Sequence, residues 1–156
     1  MFGVSARVLV LCTHPGRLLI YSMIFNRLGF FRVTLCSNFT EVQRACTLQP
    51  SFDLFLYDDF APECDELLRL EAMSRARNFD QVVLVGNFAE DDRYHLFDWA
   101  WTKHVGLLDV VEKPLSMTRL REALDGLVIT LAPCLDEPAA YPSAMLESPV
   151  SVCPNR

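Results

Sequence analysis

Three short clusters of polar residues in this sequence each follow a short apolar run. They occupy residues 12–14, 57–59 and 112–114, and they include a thiol, an imidazole, two adjacent carboxylates and a lysine ammonium group. Groups of these types bind metal ions, accept or stabilise a phosphoryl group, or form ion pairs. Any of these chemistries requires a fold that brings the three clusters together.

The segments between the clusters indicate such a fold. Short continuous apolar runs alternate with longer segments of helical period, which is typical of strands buried on both faces of a parallel sheet. The predicted strands are Arg7–Cys12, Phe31–Cys36, Asp53–Asp58, Gln81–Val85 and Gly106–Val111. The predicted helices span residues 13–29, 38–49, 63–77, 90–103 and 116–131. In the first helix, the expected apolar stripe is Ile20, Ile24 and Leu28.

Five strand-helix units with right-handed crossovers predict an α/β doubly wound three-layer sandwich. Its parallel strands should have the order 2-1-3-4-5, with the functional crevice at their carboxyl ends. A chain of 156 residues that is 51% hydrophobic has material for one packed core, so we expect one domain at residues 1–132. Residues 133–156 are rich in proline, alanine and serine without any period, and they predict a tail or linker.

The composition argues against several classes of function. A net charge of −6 with interspersed signs leaves no basic stripe for a phosphate backbone, so direct nucleic-acid binding is not expected. No stretch approaches the roughly 20 uncharged residues that span a bilayer, so we expect no membrane partner. The six cysteines show no CxxC or CxxH spacing, and we interpret them as reduced thiols of a cytoplasmic protein.

One segment carries a resemblance to a known family. Phe52–Asp58, with Pro62 four residues later, resembles the phosphoacceptor strand and loop of response-regulator receiver domains. Gly106, seven residues before Lys113, is similar to the turn before the last strand of that family. The likeness covers about residues 6–131 and includes the order and spacing of all five units. It implies the flavodoxin-like receiver fold.

The resemblance implies roles for the residues at the strand ends. Asp58 matches the aspartate that receives a phosphoryl group from a histidine kinase, and Lys113 matches the lysine that pairs with that group. In the family, two carboxylates after the first strand hold Mg²⁺, and here those positions are Cys12 and Thr13. Neither is a hard anionic oxygen ligand, so we expect only weak Mg²⁺ binding and no other cofactor.

Two further positions depart from the family pattern. The hydroxyl residue that follows the phosphoryl group is matched by Gly86, and the switch aromatic of the last strand is matched by Val110. A phosphoryl group on Asp58 would also lie beside the like charge of Asp59. The sequence therefore predicts a degenerate receiver, or pseudo-receiver, that is not an enzyme and does not depend on Mg²⁺-dependent phosphorylation.

Other interpretations of the same residues stay open. Asp58 and Lys113 either form a structural ion pair or belong to a working phosphoacceptor site in which Asp59 replaces a missing carboxylate. Cys12, His14 and Asp58 suit zinc by type, although not by spacing. More simply, His14 is a solvated residue at a helix start and Cys12 a packing residue. A small flavin or thiol redox protein on the same fold is a further alternative, although the first loop lacks hydroxyls for a flavin phosphate.

The predicted fourth helix has an unusual number of aromatic residues. At 100° per residue, one stripe contains Tyr94, Phe97, Ala100 and Trp101, and Trp99 lies nearly opposite. Because both groups cannot face the sheet, one is either covered by a neighbouring segment or available to a partner. We expect Tyr94, Trp99 and Trp101 to bind a protein partner.

The resemblance also implies the kind of partner. Receiver domains generally use the fourth helix, the fifth strand and the fifth helix to dimerise or to dock effectors. We therefore expect a homodimer through these elements and a partner such as a histidine kinase, an effector or an output domain. The predicted function is that of a protein-interaction module in signal transduction.

Overall fold

A computed structural model describes residues 5–49, 51–113 and 115–126 of the chain. The predicted end of the last helix near Leu131, the domain boundary at residue 132 and the tail at residues 133–156 lie outside these described residues. Every predicted helix or strand end within them lies no more than two residues from the observed one.

Five strands alternate with five helices along the chain. The strands are β1 (Arg7–Leu11), β2 (Arg32–Cys36), β3 (Phe52–Tyr57), β4 (Phe79–Gly86) and β5 (Leu107–Glu112). The helices are α1 (Pro15–Arg27), α2 (Phe39–Leu48), α3 (Cys64–Arg75), α4 (Glu90–Lys103) and α5 (residues 117–126). β4 begins two residues before its predicted start, because Phe79 is buried and pairs with Phe52 of β3.

Local sequence explains where the helices begin. α1 starts with Pro15, whose fixed φ and missing N–H suit the first turn. At the start of α2, the Asn38 side chain accepts a hydrogen bond of 2.9 Å from the Glu41 N–H, as the sequence predicts for a capping residue. None of the described helices combines the length and hydrophobicity that crossing a membrane requires.

The sheet has the predicted strand order, 2-1-3-4-5, and all four strand pairings are parallel. β1 lies between β2 and β3, with Val8 opposite both Val33 and Leu54. The central strands are buried on both faces, which explains their continuous apolar sequences. This topology brings the carboxyl ends of β1, β3 and β5 to one edge of the sheet.

The hydrophobic core forms one layer on each side of the sheet. On one side, Tyr21 and Phe25 of α1 and Leu124 of α5 pack against the strands. On the other side, α3 contributes Leu70 and α4 contributes Leu96. The three predicted layers are therefore present, and α1 and α5 together cover one face of the sheet.

The rotation of α4 differs from the predicted division into two opposite stripes. Its buried residues are Leu96 and Ala100, and Trp99 is half-buried against the same core. Tyr94 and Trp101 point away from the core, with 71% and 85% of their surface exposed. The predicted stripe was wrong, because the side of α4 that packs against the core is centred near Leu96. Ala100 lies on that side, whereas the two exposed aromatic residues do not.

Candidate functional site

The ends of three strands meet at one edge of the sheet, as predicted. The backbone N–H of Asp58 donates to the carbonyl oxygen of Leu11 at 2.9 Å, which joins the end of β3 to that of β1. The N–H of Lys113 donates to the carbonyl oxygen of Gly86 at 3.1 Å, which joins the end of β5 to that of β4. These bonds extend the ladder of the sheet and fix the positions of both residues.

The Asp58 carboxylate is fully buried and hydrogen-bonded at both oxygens. Its Oδ1 accepts a hydrogen bond of 2.7 Å from the Tyr21 hydroxyl. Its Oδ2 accepts hydrogen bonds from Arg17, at 2.9 Å from Nη2 and 3.2 Å from Nε, and from the Cys12 thiol at 3.2 Å. A buried carboxylate needs such partners to remain charged. The site therefore has a carboxylate enclosed by three donors.

Arg17 and Tyr21 are residues of the candidate site that the sequence analysis did not identify. They lie four residues apart in α1 and therefore on the same face of the helix, directly after the loop that contains Cys12. The buried residues of α1 are Tyr21 and Phe25. Of the predicted stripe, Leu28 is buried just after the helix and Ile24 packs partly against the core, whereas Ile20 is 54% exposed. A polar pair at this spacing, just after the replaced metal ligands, is the signal that could have revealed them.

Asp59 lies nearer the surface than Asp58 and contacts two cations, Arg17 and Lys113. It adopts a left-handed backbone conformation with φ of 57°, which is uncommon for a residue other than glycine. Its carboxylate contacts Lys113 Nζ and Arg17 Nη2, the second at 2.7 Å, and lies 3.8 Å from the exposed His14 ring. The predicted ion pair between Asp58 and Lys113 was therefore wrong. Arg17 neutralises Asp58, and Lys113 pairs with Asp59 instead.

Two of the three donors to Asp58 are neutral groups. Burial raises the pKa of the Cys12 thiol, and the nearby negative charge of Asp58 raises it further. Burial also raises the pKa of Tyr21, and its hydrogen bond to Asp58 acts in the same direction. Both groups keep their protons at neutral pH, so Arg17 is the cation that directly neutralises Asp58.

The residues present do not suit Mg²⁺. A magnesium site prefers several oxygen ligands, but here the neighbour of Asp58 is the Cys12 thiol and the next residue, Thr13, is exposed. The guanidinium of Arg17 already lies on Asp58. Within the described part of the chain, no group of three or more His, Cys, Asp or Glu residues is arranged to hold a metal ion. The alternative zinc site does not assemble, since the ring of His14 lies toward Asp59.

The two replaced switch positions are tightly packed. A Cβ atom on Gly86 would lie 2.4 Å from the carbonyl oxygen of Phe60, so the loop after β3 occupies the space that a side chain would need. Val110 is buried, and its carbonyl oxygen accepts a hydrogen bond from Arg93 of α4. Neither position has a hydroxyl or a ring that could move in response to a group on Asp58.

An ion-pair network connects α4, β5 and α5. Asp109 of β5 accepts a hydrogen bond of 3.0 Å from Arg119 of α5 and lies 2.9 Å from Arg93 of α4. The Asp109 side chain is mostly buried, which strengthens both interactions relative to exposed pairs. The network links β5 and α5 to α4, the helix on which Tyr94 and Trp101 are exposed.

Comparisons with known proteins agree with this fold. No protein-family model matches the chain, and no curated protein matches it significantly. A protein from Burkholderia pseudomallei that is assigned to pilus assembly has a TM-score of 0.65 and 26% identity, covering 83% of this chain and 93% of its own. Another pilus assembly protein, from Burkholderia thailandensis, has a TM-score of 0.60 and 27% identity, and the match covers 77% of this chain and 95% of that protein.

A response regulator receiver domain from Clostridium thermocellum is also similar. It has a TM-score of 0.62 and 18% identity, covering 83% of this chain and 98% of its own. Nearly all of that domain therefore aligns with this chain.

Proposed function

We propose that this chain, which has the fold of a response-regulator receiver domain, acts as a protein-interaction module whose signalling is independent of phosphorylation. The observation that supports this proposal is the enclosure of Asp58. Both of its carboxylate oxygens are hydrogen-bonded, and Arg17 covers the oxygen that the Cys12 thiol also contacts.

The energetics of phosphoryl transfer favour the proposal. Attack on phosphorus through Oδ1 would compete with the hydrogen bond from Tyr21, and attack through Oδ2 with those from Arg17 and Cys12. A hydrogen bond with one charged partner is worth about 1.5–3 kcal/mol. The product would carry nearly two negative charges beside Asp59. In working receivers Mg²⁺ offsets this charge, but the residues here do not suit Mg²⁺. We therefore expect slow transfer and an unstable product.

The same site offers little for other chemistry. A thiol reacts as its thiolate, and the raised pKa of Cys12 keeps it protonated. Its sulfur is buried and contacts Asp58, whose negative charge disfavours the thiolate further. These features argue against the thiol redox alternative and favour a role without catalysis.

The surface of α4 is the best candidate for the interaction. Tyr94 and Trp101 are exposed on it, and tyrosine and tryptophan are typical anchors of protein interfaces. The network around Asp109 holds α4, β5 and α5 together as one surface. We propose that a second copy of this chain, or another signalling protein, binds there. Trp99 packs against the core and would act as support.

The similarity to the Burkholderia proteins suggests a more specific partner. Both are assigned to pilus assembly, and both share more identity with this chain than the Clostridium receiver domain does. We propose a partner among the proteins that assemble or regulate a pilus. Affinity purification from the native cell tests this: pilus assembly proteins should be recovered with the wild type and lost with Trp101→Ala.

Exposure to a small-molecule phosphodonor tests independence from phosphorylation. The protein is incubated with acetyl phosphate and Mg²⁺, alongside a phosphorylatable receiver domain as positive control, and intact mass is measured. We expect no stoichiometric phosphorylation, and we expect Asp58→Asn to retain partner binding. A phosphorylated product that disappears in Asp58→Asn, with partner affinity changing more than about tenfold, would contradict the proposal.

A further inference from the structure

A cavity of about 390 Å³ lies beside Asp58, between α1 and the segment that follows β5. This volume falls within the range of small-molecule sites. Its lining combines apolar and polar side chains, which include Ile20, Ile24, Leu115, Arg17, Asn87 and Lys113. Such a combination of apolar walls with a few convergent polar groups is typical of a binding site.

The apolar walls would favour a ligand with a hydrocarbon body. Ile20 is 54% exposed, and Ile24 and Leu115 are half-buried, so each has apolar surface that a ligand could remove from water. Ile20 and Ile24 lie four residues apart and thus form one continuous wall of the cavity. This wall is the face of α1 that was predicted to lie in the core.

The polar end of the cavity is arranged for a single carboxylate. Lys113 and Arg17 extend from different elements and converge on the carboxylate of Asp59. The Lys113 side chain is mostly buried, whereas Asp59 lies on a loop with 37% of its side chain exposed. Asp59 is the more exposed partner, so its carboxylate regains water when it turns toward solvent, and an incoming carboxylate would restore the charge pairing of Lys113 and Arg17. Lys113 would then need another anion.

Asp58 further restricts the chemistry of that anion. Its carboxylate is fixed by Tyr21 and Arg17 and remains at the base of the cavity. A dianion such as phosphate would be repelled by Asp58 and would leave the apolar walls uncovered. A cation would be repelled by Arg17 and Lys113. A monoanion with an apolar body would pair its charge with Arg17 and Lys113 and would cover the apolar walls of the cavity.

We propose that this cavity binds a small monocarboxylic acid with a short aliphatic or aromatic body, whose carboxylate replaces that of Asp59 on Lys113 and Arg17. The inference rests on the proposed function, because a phosphoryl group on Asp58 would require the same cations. Ligand binding would then replace phosphorylation as the event that changes the segment after β5.

Titration with octanoate tests the proposal, with uncharged 1-octanol as the matched probe. Binding is followed by calorimetry and by amide chemical shifts. We expect saturable octanoate binding with shifts at Ile20, Ile24 and Lys113, and at least tenfold weaker binding of octanol. Lys113→Gln should weaken octanoate binding at least tenfold. Asp59→Asn should strengthen it about threefold or more, because the competing internal carboxylate is removed.

A matched pair of variants on α1 tests the position of the ligand. Ile20→Ser should weaken octanoate binding, whereas Leu19→Ser, which changes a similarly apolar and somewhat more exposed neighbour outside the cavity, should not. The proposal is overturned if neither the wild type nor Asp59→Asn binds octanoate saturably, or if octanol binds as well. Asp59 has a positive φ, a backbone conformation that Asn also adopts readily, so Asp59→Asn is expected to fold.

These results are independent of the test for phosphorylation. If Asp58 is phosphorylated and partner affinity changes more than about tenfold, the proposed function fails whatever octanoate does. If the protein remains unphosphorylated and octanoate does not bind, only the ligand proposal fails.

Discussion

The Tyr21 hydroxyl donates a 2.7 Å hydrogen bond to Oδ1 of Asp58, the carboxylate oxygen that Arg17 does not contact. Both oxygens of the Asp58 carboxylate are therefore hydrogen-bonded. Tyr21 belongs to the core of α1 at the same time, with only 3% of its surface exposed. Enclosure of Asp58 is therefore coupled to the packing of α1 on the sheet.

The first prediction concerns this hydroxyl. Tyr21→Phe removes one donor and leaves Oδ1 of the buried Asp58 carboxylate unsatisfied, so the free energy of unfolding should fall by about 1.5–3 kcal/mol. Tyr94→Phe is the matched control, because it deletes the same hydroxyl from an exposed ring and should change stability by less than about 0.5 kcal/mol. Urea denaturation of both variants measures the difference. Equal effects would show that the bond to Asp58 is unimportant.

A second prediction is that Arg17 must be removed before a magnesium site can be restored. Cys12→Asp with Thr13→Asp supplies two carboxylates, but the Arg17 guanidinium still lies on Asp58 and repels a divalent ion. We expect calorimetry to detect little Mg²⁺ binding in this double variant. Adding Arg17→Ala should strengthen binding at least tenfold.

A control separates the position of Arg17 from its charge. Arg27→Ala, in the last turn of the same helix, removes an equal charge far from Asp58 and should not restore Mg²⁺ binding. Strong Mg²⁺ binding in the double variant with Arg17 present would contradict the prediction, since it would show that the guanidinium moves aside easily.

The sheet could be predicted from sequence because its strands contain little ambiguity. Continuous apolar runs such as Val8–Leu11 and Leu54–Tyr57 are buried on both faces, so rotation about the strand axis does not matter. The order 2-1-3-4-5 then followed from right-handed crossovers, and the ends of the strands were correctly placed at one edge.

The contacts at the site could not be predicted because they depend on the rotation of α1. This helix is apolar on almost every side, so its sequence fits burial of the face that contains Ile20 as well as burial of the face that contains Tyr21 and Phe25. Packing against α5 and the sheet selects the second arrangement, and Arg17 then reaches Asp58. The same ambiguity affected α4. Spacing along the chain also could not show which aspartate Lys113 would contact.

A third prediction concerns association through α4. If the protein dimerises through this surface, Trp101→Ala should shift the mass measured by light scattering from dimer toward monomer, because the most exposed aromatic anchor is lost. Leu48→Ala is the control, since Leu48 is 79% exposed on α2 and lies outside the proposed interface. Trp99→Ala should chiefly reduce stability, because Trp99 packs against the core.

The same measurement can contradict the interface. A wild-type monomer at all concentrations would exclude the homodimer and leave the surface to another protein. A dimer that persists in Trp101→Ala but dissociates in Leu48→Ala would place the interface at α2, near the edge of the sheet formed by β2 and away from α4.

The last prediction concerns alkaline pH. Burial raises the pKa of the Cys36 thiol from its usual value near 9 to about 11, and nearby Glu41 adds to the shift. Between these values the folded protein keeps a proton that the unfolded chain has lost. Because the unfolded state then binds fewer protons, the free energy of unfolding should decrease as pH rises from about 9 to 11, by up to about 1.4 kcal/mol per pH unit for this group.

Cysteine variants isolate this contribution when slopes rather than absolute stabilities are compared. Cys36→Ala removes the titrating group, so urea denaturation across this range should show a shallower fall of stability with pH than in the wild type. Cys64→Ala, at an exposed position, should leave the slope unchanged. The slope should not vanish in Cys36→Ala, because burial also raises the pKa of Cys12 and Tyr21. A slope identical to that of the wild type would mean that Cys36 loses its proton at the same pH in the folded and unfolded states.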